Sequence, residues 1–165
     1  MAITLALLLE KLMNNYKIEQ VLPHQAPMIL IDSLEQYDSD SCRCAVTITP
    51  ESAFYNGVKK SVPSYIGSEY MAQAIAAFAG AHALDNNADV QIGFLLGSRK
   101  YKTMRGYFAL GETLKITIKE LYREDSGLRV FECAILAADD ELIAQANINV
   151  FQPKDPQAFI QESYA

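Results

Sequence analysis

Residues that bind metals or cross-link a chain are scarce in this sequence, which has three cysteines and two histidines among 165 residues. Cys42 and Cys44 are two positions apart, an offset that does not suit a paired-thiolate zinc site, and the two histidines are far apart. Three is also an odd number of cysteines, so the sequence predicts no disulfide framework. We therefore expect reduced structural thiols in a cytoplasmic protein that binds no metal.

Positive charge is scarce as well. The chain has 14 lysines and arginines against 20 aspartates and glutamates, which gives a net charge of -6. Because like charges repel, this balance argues against binding to the phosphate backbone of nucleic acids. The sequence also has no glycine-rich phosphate-binding loop and no nucleotide-binding motif, and their absence predicts that the protein uses no cofactor of its own.

Two apolar stretches are the candidates for a signal peptide or a membrane span. Met1–Leu9 has no lysine or arginine before it and no small-residue cleavage site after it, so we interpret it as part of an amphipathic helix. Val62–Leu84 has the roughly 20 residues that a spanning helix needs. It also contains Glu69, Gln73 and His82, which favours a buried core helix over a membrane span.

The order of hydrophobic patterns predicts one α+β domain over residues 1–165. Met28–Leu34 and Cys42–Thr49 are typical of a hairpin, and the chain from Ser64 to Gly80 is apolar or small on nearly every side, as in a surrounded helix. Further strands are predicted at Val90–Met104, Thr113–Arg123, Leu128–Leu136 and Leu142–Phe151. A curled antiparallel β-sheet wrapped around one long central helix satisfies this order.

The two ends of the chain are predicted to lie outside the core of that domain. We expect a helical extension over about residues 1–16 and a tail over about residues 152–165. Prolines and charges mark the tail, and a short helix is predicted near Pro156–Glu162.

Glu69 is the leading catalytic candidate, because a carboxylate in a buried apolar helix has a desolvation cost that usually demands a partner or a function. It lies in the second turn after Pro63, where the unpaired amides of a helix start can donate to a carbonyl oxygen. Gln73 follows one turn later on the same face and could orient the carboxylate. The alternative is a structural glutamate that neighbouring amides satisfy. His24 is a second candidate, although a lone histidine before a strand is more often structural.

A cluster of positive charge stands out in this acidic chain, between Ser98 and Arg105. Its members are Arg99, Lys100, Lys102 and Arg105. Such a cluster could dock an acidic protein or bind a phosphate group. The alternative is the solvated face of a strand.

Two stretches of the chain, Leu22–Asp32 and Glu69–Ala74, resemble the characteristic motifs of FabZ-type 3-hydroxyacyl-acyl carrier protein dehydratases. Three others look closer still to the ApeP-type proteins of aryl-polyene gene clusters: Phe94–Tyr101, Val130–Cys133 and Asn147–Pro153. The resemblance covers the chain from about Tyr16 to Phe151. It implies a hotdog fold, paired into dimers whose active sites lie at the subunit interface.

The resemblance also implies an activity, that of a hydro-lyase which converts a 3-hydroxyacyl thioester into a 2-enoyl thioester in fatty-acid-like or aryl-polyene biosynthesis. The acyl group would arrive on the phosphopantetheine arm of an acyl carrier protein, with no other cofactor. That carrier would dock on the cations between Arg99 and Arg105. Glu69 matches the family's helix glutamate. The residues expected to contact the substrate are Gln73, Ser64, Tyr65 and Gly97.

One departure from the dehydratase pattern concerns the family's catalytic histidine, which lies on the loop before the central helix. Its place falls at Tyr55 in this sequence, and no histidine occurs in that loop. Tyrosine is a poor general base at neutral pH, although it can donate a proton or a hydrogen bond. Ser64 likewise stands where the dehydratases carry a glycine whose amide faces the thioester.

Three accounts of the activity remain open. In the first, the chain is a complete dehydratase in which Glu69 works with Tyr55 or His24. In the second, it is a subunit that lends Glu69 across an interface to a related chain carrying the histidine. In the third, it is an acyl thioesterase whose helix carboxylate activates water. A non-catalytic hotdog partner that completes a heteromeric dehydratase is the binding alternative. Members of the ApeP type are associated with a second small hotdog dehydratase, so we favour a heteromer over a homo-oligomer.

Overall fold

The computed structural model describes residues 16–163, so the predicted N-terminal extension lies outside the described residues apart from its last position. The helices of this part of the chain are α1 (Ile18–Val21), α2 (Gly67–Asp85), which a 3-10 turn (Ser64–Ile66) precedes, and α3 (Pro156–Ser163). The strands are β1 (Ser33–Tyr37), β2 (Ser41–Thr47), β3 (Ser61–Pro63), β4 (Phe94–Thr103), β5 (Tyr107–Ala109), β6 (Thr113–Arg123), β7 (Leu128–Leu136) and β8 (Leu142–Phe151).

Six strands form one antiparallel sheet in the order β1-β2-β6-β7-β8-β4, and β3 pairs with β5 in a separate two-stranded sheet. Helix α2 packs against the large sheet and contacts β6, β2 and β7. The buried side chains form one hydrophobic cluster, which includes Met71, Phe78, Ile116, Phe131 and Ile135. The three cysteines are buried and free. This architecture is the sheet around a central helix that the sequence predicts.

Helix α2 is buried along most of its length because nearly all of its residues are apolar or small. It is not covered on every side, however. Glu69, Ala72, Ala76 and Ala79 are only partly buried, and their spacing places them in one stripe along the helix. No helix within residues 16–163 is long and apolar enough to cross a membrane. The stripe is the side of the helix at which a cavity can form.

The first strand begins later in the chain than the sequence predicts. Met28–Leu34 is the predicted strand, whereas β1 covers Ser33–Tyr37. The backbone before β1 bonds to the central helix instead, since the Leu30 amide donates to the Gln73 side chain and the Met28 carbonyl accepts from it. Branched apolar residues in this segment therefore indicate burial against the helix and not pairing in the sheet.

The other predicted strands agree better with the structure. Three are confirmed at both ends: Thr113–Arg123, Leu128–Leu136 and Leu142–Phe151. β4 is shorter than the predicted Val90–Met104, and the β3–β5 pair is not predicted at all, because three-residue strands are too short to show an alternating pattern. The tail carries α3, in which Phe159 packs on Phe94 and Phe151.

Gly80 lets α1 pack directly on the central helix. A Cβ added at Gly80 would lie 1.8 Å from the carbonyl oxygen of Val21. Alanine normally stabilises a helix by about 1 kcal/mol relative to glycine, but this overlap involves backbone that cannot rotate away. We expect Gly80→Ala to lower the free energy of unfolding by about 1–3 kcal/mol in urea denaturation. Gly57→Ala, where nothing lies within 4 Å of the added Cβ, is the control. A stabilised Gly80→Ala variant would contradict this packing.

Candidate active site

Glu69 and Gln73 form the hydrogen-bonded pair that their spacing predicts. Both lie on α2, and Gln73 Nε2 donates to Glu69 Oε1 at 3.1 Å. Gln73 is completely buried, with 0% of its surface exposed, whereas Glu69 is only partly buried. The pair therefore joins an inner amide to a carboxylate at the edge of the core.

The orientation of Gln73 is fixed by the chain before β1. Its Oε1 accepts from the Leu30 amide at 2.8 Å, and its Nε2 also donates to the Met28 carbonyl at 2.8 Å. Turning the side-chain amide over would set donor against donor at Leu30 and acceptor against acceptor at Met28. Nε2 must therefore face Glu69, which gains a hydrogen-bond donor that cannot turn away.

Glu69 lines a cavity of about 140 Å³ along the partly buried stripe of α2. His24 lines the same cavity, and its Nδ1 is buried without a hydrogen-bond partner among residues 16–163. The segment that carries His24 leads into Met28–Leu30, which Gln73 binds against the helix. Two of the predicted catalytic residues, a carboxylate and an imidazole, are thus brought to one cavity.

Tyr55 is not among the residues that line this cavity. Its side chain packs, partly buried, against the hydrophobic core, and its amide donates to the Ser52 carbonyl at 3.1 Å. Within one subunit, therefore, the structure does not bring Tyr55 together with Glu69 and His24.

The start of α2 is tied to β4 by Tyr101, which the sequence interpretation missed. The Tyr101 hydroxyl donates to the Ser64 carbonyl. Burial raises the pKa of Tyr101 to about 12, so the hydroxyl keeps its proton at neutral pH. A Cβ at Gly67 would lie 2.5 Å from the hydroxyl oxygen, which explains the glycine there. The sequence feature that could have indicated this role is the position of Tyr101 as a lone aromatic residue in the run of cations between Arg99 and Arg105.

The remaining residues predicted to contact substrate lie apart from the cavity of Glu69. The Ser64 amide donates to the Gly106 carbonyl at 3.0 Å, so it is not free to polarise a thioester. Tyr65 follows in the same turn, and 67% of its surface is exposed. Gly97 lies where the register of β4 against β8 shifts, and its φ of +153° favours glycine.

The structure separates the four cations of the predicted docking cluster. Lys100 lines a groove on another part of the sheet, bordered by residues of β2, β6, β7 and β8. Arg105 forms an ion pair with Glu112, in the turn between β5 and β6. Arg99 and Lys102 are exposed on β4. Neither of these two residues lines the cavity of Glu69.

Arg129 is a charged residue of the cavity that the sequence interpretation also missed. It is 8% exposed, lines the cavity of Glu69 and pairs through Nη2 with Glu120 of β6. Burial alone would raise the pKa of Glu120, but hydrogen bonds from Arg123 and Arg129 outweigh it, so the pKa is lowered overall. The sequence feature that could have indicated the burial of Arg129 is the alternation of β7, which places it on the same face as Phe131.

Comparison with known proteins assigns the chain to a family. The family model for ApeP-like proteins, described as ApeP dehydratase, matches residues 16–161. The chain belongs to the ApeP-like dehydratase family. This membership confirms the resemblance to ApeP-type proteins that the sequence motifs indicate. No curated protein matches the chain.

Solved structures show the fold of this ApeP-like chain. The dehydratase heterocomplex ApeI:P from Xenorhabdus doucetiae matches with a TM-score of 0.84 and 24% identity, over 92% of this chain and 100% of that chain. A hypothetical thioesterase protein with coenzyme A from Streptococcus pneumoniae TIGR4 has a TM-score of 0.58 and 10% identity, over 73% and 86%. The E. coli PaaI protein from the phenylacetic acid degradation operon matches with a TM-score of 0.57 and 14% identity, over 72% of this chain and 81% of that chain. The predicted hotdog fold is therefore confirmed.

Proposed function

We propose that this chain is a subunit of a 3-hydroxyacyl-acyl carrier protein dehydratase, with Glu69 as its catalytic side chain. The observation that carries the proposal is a carboxylate that is hydrogen-bonded to a buried amide and open to a cavity. The substrate would be a 3-hydroxyacyl thioester on a phosphopantetheine arm, and the product the 2-enoyl thioester. We expect the reaction to serve fatty-acid-like or aryl-polyene biosynthesis in the cytoplasm.

The reaction needs one proton removed and one supplied. A general base takes the proton from the carbon beside the thioester carbonyl, and the electron pair of that C–H bond forms the double bond. Glu69, in its protonated form, gives a proton to the 3-hydroxyl, which leaves as water. Negative charge develops on the carbonyl oxygen, and an amide at the helix start would stabilise it. The amide of Ser64 cannot be that donor, because it is engaged with Gly106.

The general base is expected to come from a second subunit. Tyr55 stands at the family's histidine position and does not line the cavity of Glu69. A second hotdog chain that carries the loop histidine would complete the site, and the relative from Xenorhabdus doucetiae is itself a heterocomplex. His24 is the alternative base, because it lines the same cavity as Glu69.

Strand β4 offers an edge for that second subunit. It is an end strand of the large sheet, so one side of its backbone has no strand beside it among the described residues. Leu95 and Leu96 are 50% and 57% exposed, and Leu95 lines the cavity of Glu69. A partner strand here would cover both leucines and close the cavity. An acidic carrier protein would then dock on Arg99 and Lys102, two exposed cations of the same strand.

Assaying the purified chain alone, and after mixing with a second hotdog dehydratase of the same organism, tests the shared site. We expect the rate of 2-enoyl thioester formation to be at least about 100-fold higher in the mixture than with either chain alone. Mass spectrometry of the carrier-bound product measures this rate. Equal activity of the chain by itself would assign the base to His24. Release of free acid without enoyl product would replace the proposal with a thioesterase.

A further inference from the structure

The face of the large sheet that points away from α2 carries an outer groove of about 540 Å³. Thr117 lies opposite Ala134 in the strand register, and Ala134 lies opposite Gln145. Directly opposed residues point to the same side of a sheet, so these three side chains form a row across β6, β7 and β8. They form the floor of the outer groove together with Asn147. The floor is therefore neutral and partly built from small side chains.

Positive side chains border the outer groove on two sides. One border is formed by β4, and the other by β6 with β2. Arg43 of β2 is paired with Glu35. Among the described residues, Glu132 is the one acidic residue that lines the groove. The remaining cations of the two borders are exposed and form no ion pair within residues 16–163: Arg99, Lys100, Lys102 and Lys119. In a chain of net charge -6, this face thus has an excess of positive charge.

A bulge in β4 brings three of these cations to one face. The register of β4 against β8 shifts between Arg99 and Lys102, and both lie opposite residues that line the groove. Between them, Lys100 has a φ of +57°, a backbone conformation that lysine rarely adopts, and lines the groove itself. Tyr101 points inward, where its hydroxyl donates to the start of α2. Bulges re-aim side chains in this way, so the cations face outward and the tyrosine faces the core.

The spacing of the two borders fits one α-helix. Lys119 on β6 and Arg99 on β4 are three strand spacings apart, which is about 14 Å. An α-helix with its side chains is about 10–12 Å across. A helix that lies over β7 and β8 would therefore reach cations on both sides. Thr117 and Ala134 are small enough to let it approach the sheet.

We propose that the outer groove is the docking surface for an acidic helix of the acyl carrier protein. The inference rests on the proposed function, and it extends the carrier contact from Arg99 and Lys102 to a second border at Lys119. Charge complementarity supports it, because acidic side chains on both flanks of such a helix would meet unpaired cations. The groove is also near the reaction, since Tyr101 ties β4 to the start of the helix that carries Glu69.

The test compares one 3-hydroxyacyl group in two forms, bound to the carrier protein and bound to free pantetheine, in the complex with the second subunit. Lys119→Glu is the decisive variant, because Lys119 lies on the border that β4 does not form. We expect this variant to raise KM for the carrier-bound substrate about fivefold while kcat changes little. With Lys100→Glu added, the increase should be at least about tenfold. KM for the pantetheine substrate should stay at the wild-type value.

Lys59→Glu combined with Lys154→Glu is the matched control. Both lysines are exposed and neither lines the outer groove. This variant has the same net charge as the double variant of the groove, and it should keep the wild-type KM for the carrier-bound substrate. Lys100→Gln combined with Lys119→Gln is the milder second variant, which removes both charges without reversing them. It should raise the same KM by a smaller factor.

Each failure has a distinct meaning. Groove variants with a wild-type KM for the carrier-bound substrate, or a control variant with an equal loss, would overturn the docking surface and leave the proposed function standing. Equal losses for both substrates would also overturn it, since docking concerns only the carrier. An effect of Lys100→Glu without one of Lys119→Glu would confine the carrier to β4.

A gel-shift assay with a DNA oligonucleotide separates the carrier from nucleic acid as the partner. DNA binding that the groove variants abolish, with an unchanged KM for the carrier-bound substrate, would overturn the carrier as the occupant. A complex that dehydrates neither form of the substrate would overturn the proposed function itself.

Discussion

Replacing Glu69 with glutamine is expected to lower the rate of dehydration by the assembled complex by about 10²- to 10⁴-fold. A glutamine keeps the size of the side chain and can still accept the hydrogen bond from Gln73. Its amide cannot transfer a proton to the leaving hydroxyl, however, so acid catalysis is lost while the fold is kept. Initial rates of enoyl thioester formation, with the unfolding curve of the same sample, separate the two effects.

Glu51→Gln is the control for the loss of one negative charge. Glu51 is exposed in the loop before β3, away from the cavity of Glu69, and its variant should keep wild-type turnover. If Glu69→Gln also retains full turnover in the complex, the catalytic role of Glu69 is wrong. The chain would then be a silent partner that shapes the acyl channel for the other subunit.

The parts of the fold that the sequence predicts best are those with a local pattern. Thr113–Lys119 alternates between inward and outward side chains, and the strand predicted over Thr113–Arg123 is β6. Helix α2 is predicted because nearly every residue in it is small or apolar. β1 could not be placed in the same way, because Met28 and Leu30 bond to Gln73 from another element. Branched apolar residues indicate burial and do not say which neighbour covers them.

The candidate site shows the same division. Glu69 and Gln73 are one turn apart on a helix, so their hydrogen bond follows from spacing alone. Arg129 shares the inward face of β7 with Phe131, but the contacts that accompany a buried charge there come from Glu120 and Phe78 on two other elements. No pattern along the chain indicates that pairing. The site is thus predictable where it is built within one helix and hidden where folding joins separate elements.

Gln73→Met should reduce both the stability and the turnover of the protein. Methionine fills a similar volume, but it offers no acceptor to the Leu30 amide and no donor to Met28 or Glu69. A buried amide left unsatisfied costs about 1–3 kcal/mol, so the free energy of unfolding should fall by that amount. Because Glu69 loses the donor that positions it, kcat of the complex should fall by about 10²-fold while KM changes little. Urea denaturation and steady-state kinetics check the two effects.

Loss of stability alone could also lower turnover, so the control must be a variant that is destabilised at a distance from Glu69. Gly80→Ala meets this need, since its added Cβ would collide with Val21 and leave the hydrogen bonds of Gln73 intact. Below its unfolding transition, Gly80→Ala should retain wild-type kcat. A Gln73→Met variant with the kcat of Gly80→Ala would show that Gln73 serves only the fold. A much lower kcat at equal stability would identify Gln73 as the residue that positions the catalytic carboxylate.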